Sequence, residues 1–517
     1  MRPPSHFIPP FPSLFVKNQV QLITYVDRFG GGAVSDLSAL LSGPLSGVFG
    51  GVHLLPFFFP FDGADAGFDP IDHTQVDPRL GSWEHVKALG EVAEVMADLI
   101  VNHVSSDSPQ FRDFSRNGDR SEWAGLFLTF DRVFPEGATE RQLLEIYRPR
   151  PGLPFTMATL ESGERRLLWT TFTAKQVDID VLHPDGAAYL RSILARFHEA
   201  GIRMIRLDAA GYAIKEAGTN CFMLPRTYEF IGQLTKEARA LGIEVLVEIH
   251  SYYREQIEIA KHVDRVYDFA LPPLVLHALF TGDARFLRRW LQISPRNCIT
   301  VLDTHDGIGV IDVGAGASAP EDRPGLLPPG AIHELVETIH RNSEGGSRKA
   351  TGAAASNLDL YQVNCTYYDA LGRDDRAYLI ARAIQFFSPG IPQVYYVGLL
   401  AGENDTELLA RTQVGRDINR HCYTRQEVEA ALSRPVVGAL CELIRFRNAH
   451  EAFAGEFSVG GTTVEKLTMR WESGASWAEL DVDLCNRSAC INCSGVEGPV
   501  ALDLQFNTAS LVPGISR

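Results

Sequence analysis

Eight short runs of apolar and β-branched residues recur along the chain, separated by stretches that hold helix-period segments: VQLITYVD, GVHLLPFF, EVMADLIVNH, RMIRLDA, IEVLVEIH, DRVYDFAL, CITVLDTHD and PQVYYVG. Near-continuous apolar runs suit strands covered on both faces, and strands that alternate with helices pair in parallel. Eight such units are the count for a closed barrel. The expected fold is therefore α/β, a parallel eight-stranded TIM-type barrel. Two helix candidates fix the alternation: residues 185 to 200 carry Asp185 in the first turn and stop before Gly201, and residues 226 to 241 also end at a glycine.

The strand spacing is uneven, and the excess marks added units. About a hundred residues separate IVNH from RMIRLD, too many for one crossover, and they contain the Pro/Gly-punctuated YRPRPGLPFT. A second excess follows LDTHD, rich in Gly, Ala and Pro. After about residue 450 the pattern turns to alternation (TTVEKLTMRW, SWAELDVDL, VALDLQF), which predicts a small C-terminal antiparallel β domain. The expected order is barrel over 1–103, an inserted subdomain over 104–184, and barrel over 185–307. A loop-rich insertion over 308–373, barrel over 374–450 and a β domain over 451–517 complete it.

Composition excludes several functions. A net charge of −16 with no Lys/Arg block argues against nucleic acid. No run reaches the roughly 18 apolar residues of a membrane span. The first residues, MRPPSHFIPPFPSLFVKN, hold five prolines and lack a signal-peptide core, so a cytoplasmic location is expected. Cys485, Cys490 and Cys493 form C-x4-C-x2-C, a weak metal signal with no histidine to complete it. The glycines of FGGGAVSD lack the third glycine and the acidic partner of a dinucleotide site. No metal and no cofactor are expected.

The chemistry lies at the strand ends. In a parallel barrel all strand C-termini open on one face, so Asn102, His103, Asp208, Glu248, His250, Asp268, His305 and Asp306 share one mouth. Within GIRMIRLDAAGY, Arg206 and Asp208 point the same way. A buried charge pair is costly, which asks for a use. Glycosidic-bond chemistry needs two carboxyl groups, and Asp208, Glu248 and Asp306 supply both with one to spare. Arg206 would keep Asp208 ionised as a nucleophile, while Glu248, on the apolar run VLVEIH, would be raised in pKa by desolvation and suit a proton donor.

In order, DLIVNH, IRMIRLDA, VLVEIH and TVLDTHDG resemble the four short signatures of the α-amylase superfamily. The segments FDGADAGFDPIDHTQVDPRLGSW, YRPRPGLPF, AGYAIKEAGT, HSYYREQIEIA, RVYDFALPPL, TGAAASNLDLYQVN and GRDINRH narrow the likeness to the sucrose phosphorylase family over roughly residues 15 to 450. The resemblance implies a retaining transfer with Asp208 as nucleophile, Glu248 as general acid/base and Asp306 as transition-state stabiliser. It also implies that Asp65, Phe68, His103, Arg206, His305 and Arg416 line a glucose subsite, with Phe172 and Gln176 as neighbours. Acceptor contacts would come from Tyr147, Pro149 and Arg150 on the first insertion and from Leu358, Asp359, Leu360, Tyr361 and Gln362 on the second. The partners implied are sucrose, inorganic phosphate, glucose 1-phosphate and fructose. Arg150, stiffened by flanking prolines, is the expected hydrogen-bond donor that holds phosphate. Phosphorolysis of glucosylglycerol, glucosylglycerate or sucrose 6-phosphate, hydrolysis by an α-glucosidase, and a catalytically dead binding protein stay open as alternatives. So does the choice between monomer and homodimer.

Overall fold

The computed structural model describes residues 16–149, 152–316, 321–352, 362–495 and 498–503. The eight apolar runs form one closed barrel: β1 (Gln21–Thr24), β2 (Gly51–Leu54), β3 (Glu94–Ile100), β4 (Met204–Asp208), β5 (Glu244–Val247), β6 (Arg265–Asp268), β7 (Cys298–Thr300) and β8 (Ile391–Tyr395). Each pairs in parallel with its sequence neighbours, and β8 closes on β1. Helices pack outside. The two expected helices are Pro184–Glu199 and Pro225–Ala240, each starting with proline at a position whose N–H needs no partner. The first is capped by the His183 side chain, which accepts from the Asp185 N–H, and its last turn holds Arg196 and His198 against the helix dipole.

The barrel interior is polar in the middle. Gln393 Nε2 donates to Gln21 Oε1 at 2.8 Å, and the Tyr267 hydroxyl donates to Gln393 Oε1 at 3.2 Å. His53 Nε2 lies 3.1 Å from Asp98 Oδ2, and Asp98 sits beside Arg206 in the β3–β4 register. Buried polar groups of this kind survive only when partnered, so the ladder holds the strands at fixed heights relative to one another.

The first insertion is stitched back onto the barrel. His103–Ser105, directly after β3, pairs antiparallel with Gln176–Asp178. Lys215, on the loop after β4, reaches Asp178 Oδ2 and Asn102 Oδ1, both at 2.7 Å, so β3, β4 and the insertion meet at one buried ammonium. A hairpin of Phe155–Thr159 and Arg165–Trp169 covers a small core of its own around Phe134, Ile146 and Trp169. In the second insertion Ile308–Gly309 pairs with Gln362–Val363, and a helix runs over Pro329–Asn342.

The last of the described residues form a five-stranded antiparallel sheet, β9 (Glu456–Gly460), β10 (Lys466–Ser473), β11 (Ser476–Asp483), β12 (Ser488–Gly495) and β13 (Gly498–Asp503). Trp471 pins it to the barrel by donating to the Phe387 carbonyl at 2.7 Å. Cys490 and Cys493 lie three residues apart on β12 and so face opposite sides, while Cys485 is exposed in the preceding turn. The cysteine motif is not gathered into one site. Among the described residues no helix is long and apolar enough to cross a membrane.

Candidate active site

Arg206 is the hub of the barrel mouth. Its Nη1 lies 2.6 Å from Asp98 Oδ1 and 3.1 Å from Asp208 Oδ1, and its Nη2 lies 3.2 Å from Glu248 Oε1. One guanidinium thus meets carboxylates from three adjacent strands or strand ends. Burial alone would lower the Arg206 pKa, but Glu248, Asp98 and Asp208 hold it well above its ordinary value. Burial likewise works to raise Asp98, yet Arg206 and His53 bring it down to about 2. The cost of the buried pair noted in the sequence is offset by this network.

Asp208 is the last residue of β4, and the chain turns sharply behind it. Ala209 adopts the left-handed conformation at φ 55°, leading into a single 3-10 turn at Ala210–Tyr212. Asp306 lies in the loop after β7, 2.9 Å from Arg416 Nη1. Burial pushes its carboxyl up, but Arg416, His305, Arg420 and Arg206 together hold it well below the usual carboxylate range. Burial pushes His305 down to about 3, so the ring is neutral, and it stacks on Phe68 with centroids 5.1 Å apart. Phe68 also lies under the Arg206 guanidinium at 5.4 Å. His103 Nε2 donates to the Phe68 carbonyl at 3.0 Å and is 3.2 Å from Gln176 Nε2. These groups surround a cavity of about 120 Å³, room for a small polar molecule rather than a lone water.

A family described as "Alpha amylase, catalytic domain" matches residues 48–267. A sucrose phosphorylase from Agrobacterium vitis is 64% identical over 93% of this chain and 98% of its own length. A sucrose phosphorylase from Bifidobacterium adolescentis is 54% identical, covering 90% and 92%. The chain belongs to the sucrose phosphorylase family. A solved sucrose 6F-phosphate phosphorylase from Thermoanaerobacter thermosaccharolyticum superposes with a TM-score of 0.87 at 38% identity, covering 95% of this chain and 99% of that one.

Within this family frame, the residues expected from sequence fall into three groups. Asp208, Glu248, Asp306, Phe68, His103, Tyr147, Pro149, Phe172, Gln176, Arg206, His305 and Arg416 line the one cavity. Gln362 stands beside it, its Oε1 accepting from the Gly307 N–H at 3.2 Å. The Asp65 side chain, Arg150, Leu358, Asp359, Leu360 and Tyr361 lie outside the described residues.

One expectation needs correction. Glu248 is not isolated on an apolar strand: β5 ends at Val247, and the carboxyl that follows shares Arg206 with Asp208. Within its own strand Arg206 has Asp208 as partner; the side-chain contact to Glu248 comes only with the β4–β5 pairing. The sequence does not single out Asp98, Tyr212 or Phe222, and it places His250 at the mouth without a role. Tyr212 and Phe222 pack with Tyr147 and Phe172 into an aromatic wall, with centroid distances from 4.8 to 6.1 Å. Their signal was the aromatic content of the loop after β4, which has no period to read. Glu248, His250 and Asp306 bring metal-ligating atoms within 4.8 Å of one another, but Arg206 and Arg416 already meet the two carboxylates.

Proposed function

We propose that this chain catalyses the reversible phosphorolysis of sucrose to α-D-glucose 1-phosphate and fructose by a retaining double displacement, without metal or cofactor. The observation that carries it is the single guanidinium holding Asp208 and Glu248 together, with Asp306 across the cavity. Retaining transfer uses two such carboxyl groups at one bond, one as nucleophile and one as acid/base.

In this reading Glu248 gives its proton to the bridging oxygen as the bond from glucose C1 to that oxygen breaks, and fructose leaves. Asp208 attacks C1 from the opposite face and forms a covalent β-glucosyl ester. Asp306, kept ionised by Arg416, stabilises the positive charge that builds on the ring. A phosphate oxygen then attacks C1, the ester bond to Asp208 breaks, and Glu248 takes the phosphate proton. Two inversions return the α-configuration. Phe68, His103, Gln176, His305, Phe172 and Arg416 hold the glucosyl unit, and Asp65 belongs to the same subsite. Tyr147, Pro149 and Arg150 with residues 358–362 serve fructose and phosphate.

The names of the relatives support sucrose as donor, and the segment LDLYQ, without an added basic residue, favours sucrose over its 6-phosphate. The proposal places the enzyme in the cytoplasm as a homodimer, with domain bounds at residues 103, 184, 307, 373 and 450. Purified protein incubated with phosphate and sucrose, glucosylglycerol, glucosylglycerate or sucrose 6-phosphate tests the reading. Glucose 1-phosphate from sucrose is expected; free glucose in equal yield with and without phosphate would make it a hydrolase.

A further inference from the structure

The second insertion reaches the mouth through a fully buried carboxylate that the mechanism above does not use. Asp312 lies in the 3-10 turn Ile311–Val313, with Oδ2 2.9 Å from His250 Nδ1. Its Oδ1 accepts from the Ser251 N–H at 3.2 Å and from Gln256 Nε2 at 2.7 Å. Facing a carboxylate oxygen at this distance, Nδ1 of His250 is the ring nitrogen that donates to Asp312. The other ring nitrogen, Nε2, is then the atom shown to the cavity, 3.8 Å from Glu248 Oε1. Phe269 fixes the ring plane by stacking on it, with centroids 3.8 Å apart and planes 14° apart. Gly309 lets the two backbones close, since a Cβ there would lie 2.4 Å from Asp312 Oδ2 and 3.3 Å from His250 Nδ1. Gly309 is also the residue paired with Gln362.

We propose that Asp312 is a positioning residue for acceptor selection, acting through His250, which it orients with Nε2 toward the cavity and faces with a buried negative charge. The proposal rests on phosphorolysis as the activity. Phosphate arrives while Asp208 is held as a neutral ester, but the mouth still carries the Glu248 and Asp306 carboxylates, and each repels an anion. A buried cation offsets that repulsion for phosphate and does nothing comparable for neutral water. The charged groups facing His250 are Asp312 from the second insertion, Glu248 from its own strand end and Asp306 from the loop after β7. Arg206 of β4 stands behind Glu248. Burial works to lower the His250 pKa, but Asp312, Glu248 and Asp306 outweigh it and raise it. The positive charge therefore persists to higher pH than on an ordinary histidine and is lost as pH rises through the raised value.

The test compares the full-length chain with Asp312→Asn and His250→Gln in two ways. First, the charge on His250 is followed by NMR titration of the ¹³C-labelled imidazole. The wild-type ring should titrate above an ordinary histidine, and the ring in Asp312→Asn below the wild type. Second, phosphorolysis and hydrolysis of sucrose are measured against inorganic phosphate and pH. In Asp312→Asn the KM for phosphate should rise about tenfold, the worth of one charge-assisted contact, with the KM for sucrose within about twofold. The alkaline limb of phosphorolysis should move to lower pH, and the share of free glucose among the products should rise. His250→Gln should show the same KM change, and the double variant should add nothing. His250 titrating alike in wild type and Asp312→Asn, or an unchanged KM for phosphate in both variants, would overturn the proposal. A wild type that makes no glucose 1-phosphate would refute the phosphorolysis reading instead, and the titration would still decide whether Asp312 sets the charge.

Discussion

The two sides of the cavity are built differently. On one side Asp208, Glu248 and Asp306 project from strand ends or the residues just after them, tied by Arg206, Arg416 and the buried Asp98. Barrel register fixes their heights, and ion pairs fix their directions. On the other side Tyr147, Pro149 and Gln362 come from the two insertions, held by aromatic packing and a two-residue strand pair. In the proposed reading the bond-breaking groups sit on the part of the molecule that can least shift, and the acceptor groups on the part that can vary without disturbing them. Lys215 and Asp312 are the points where each insertion is fastened to the strand ends.

That division can be broken from the strand side first. Asp208→Asn should cut kcat by about 10⁴-fold or more while the thermal midpoint stays near wild type. Activity within tenfold of wild type would remove the nucleophile from Asp208. Arg206→Met leaves Asp98 buried without its cation and should cost about 3–5 kcal/mol, read as a lower urea midpoint together with lost turnover. Asp98 itself predicts an acid limit. Its pKa is depressed to about 2, so its stabilisation is present above about pH 4 and fades as pH falls toward 2. The stability gap between wild type and Asp98→Asn, about 2 kcal/mol near neutrality, should close over that window in urea titrations at stepped pH. Tyr147→Ala, on the insertion side, should raise the acceptor KM about tenfold and leave the hydrolytic turnover at saturating sucrose and the thermal midpoint nearly unchanged. A collapse of hydrolysis in that variant would mean that the two sides are one unit.

All eight barrel strands were legible because each is an apolar run bounded by polar residues, and the parallel order follows from the alternation. The strand-end carboxylates were legible for the same reason: the barrel places every such end on one face. Asp98 was hidden. It lies mid-run in EVMADLIVNH, and its meaning depends on the cross-strand pairing with Arg206, which no single strand encodes. The sharing of Arg206 by Asp208 and Glu248 was hidden in the same way. His250 follows Glu248 by two residues, so it was visible as a strand-end group, but its role depends on Asp312, 62 positions away. Tyr212 and Phe222 reach the cavity through irregular loops, where no period foretells direction.

The most direct test is to mix the enzyme with sucrose in the absence of phosphate, quench within the first turnover, and map the peptides by mass. The account predicts one hexosyl unit on Asp208, discharged as α-glucose 1-phosphate when phosphate is added before the quench. An unmodified Asp208 together with a β-configured product would contradict it, because the sugar would then have passed to phosphate in a single inversion.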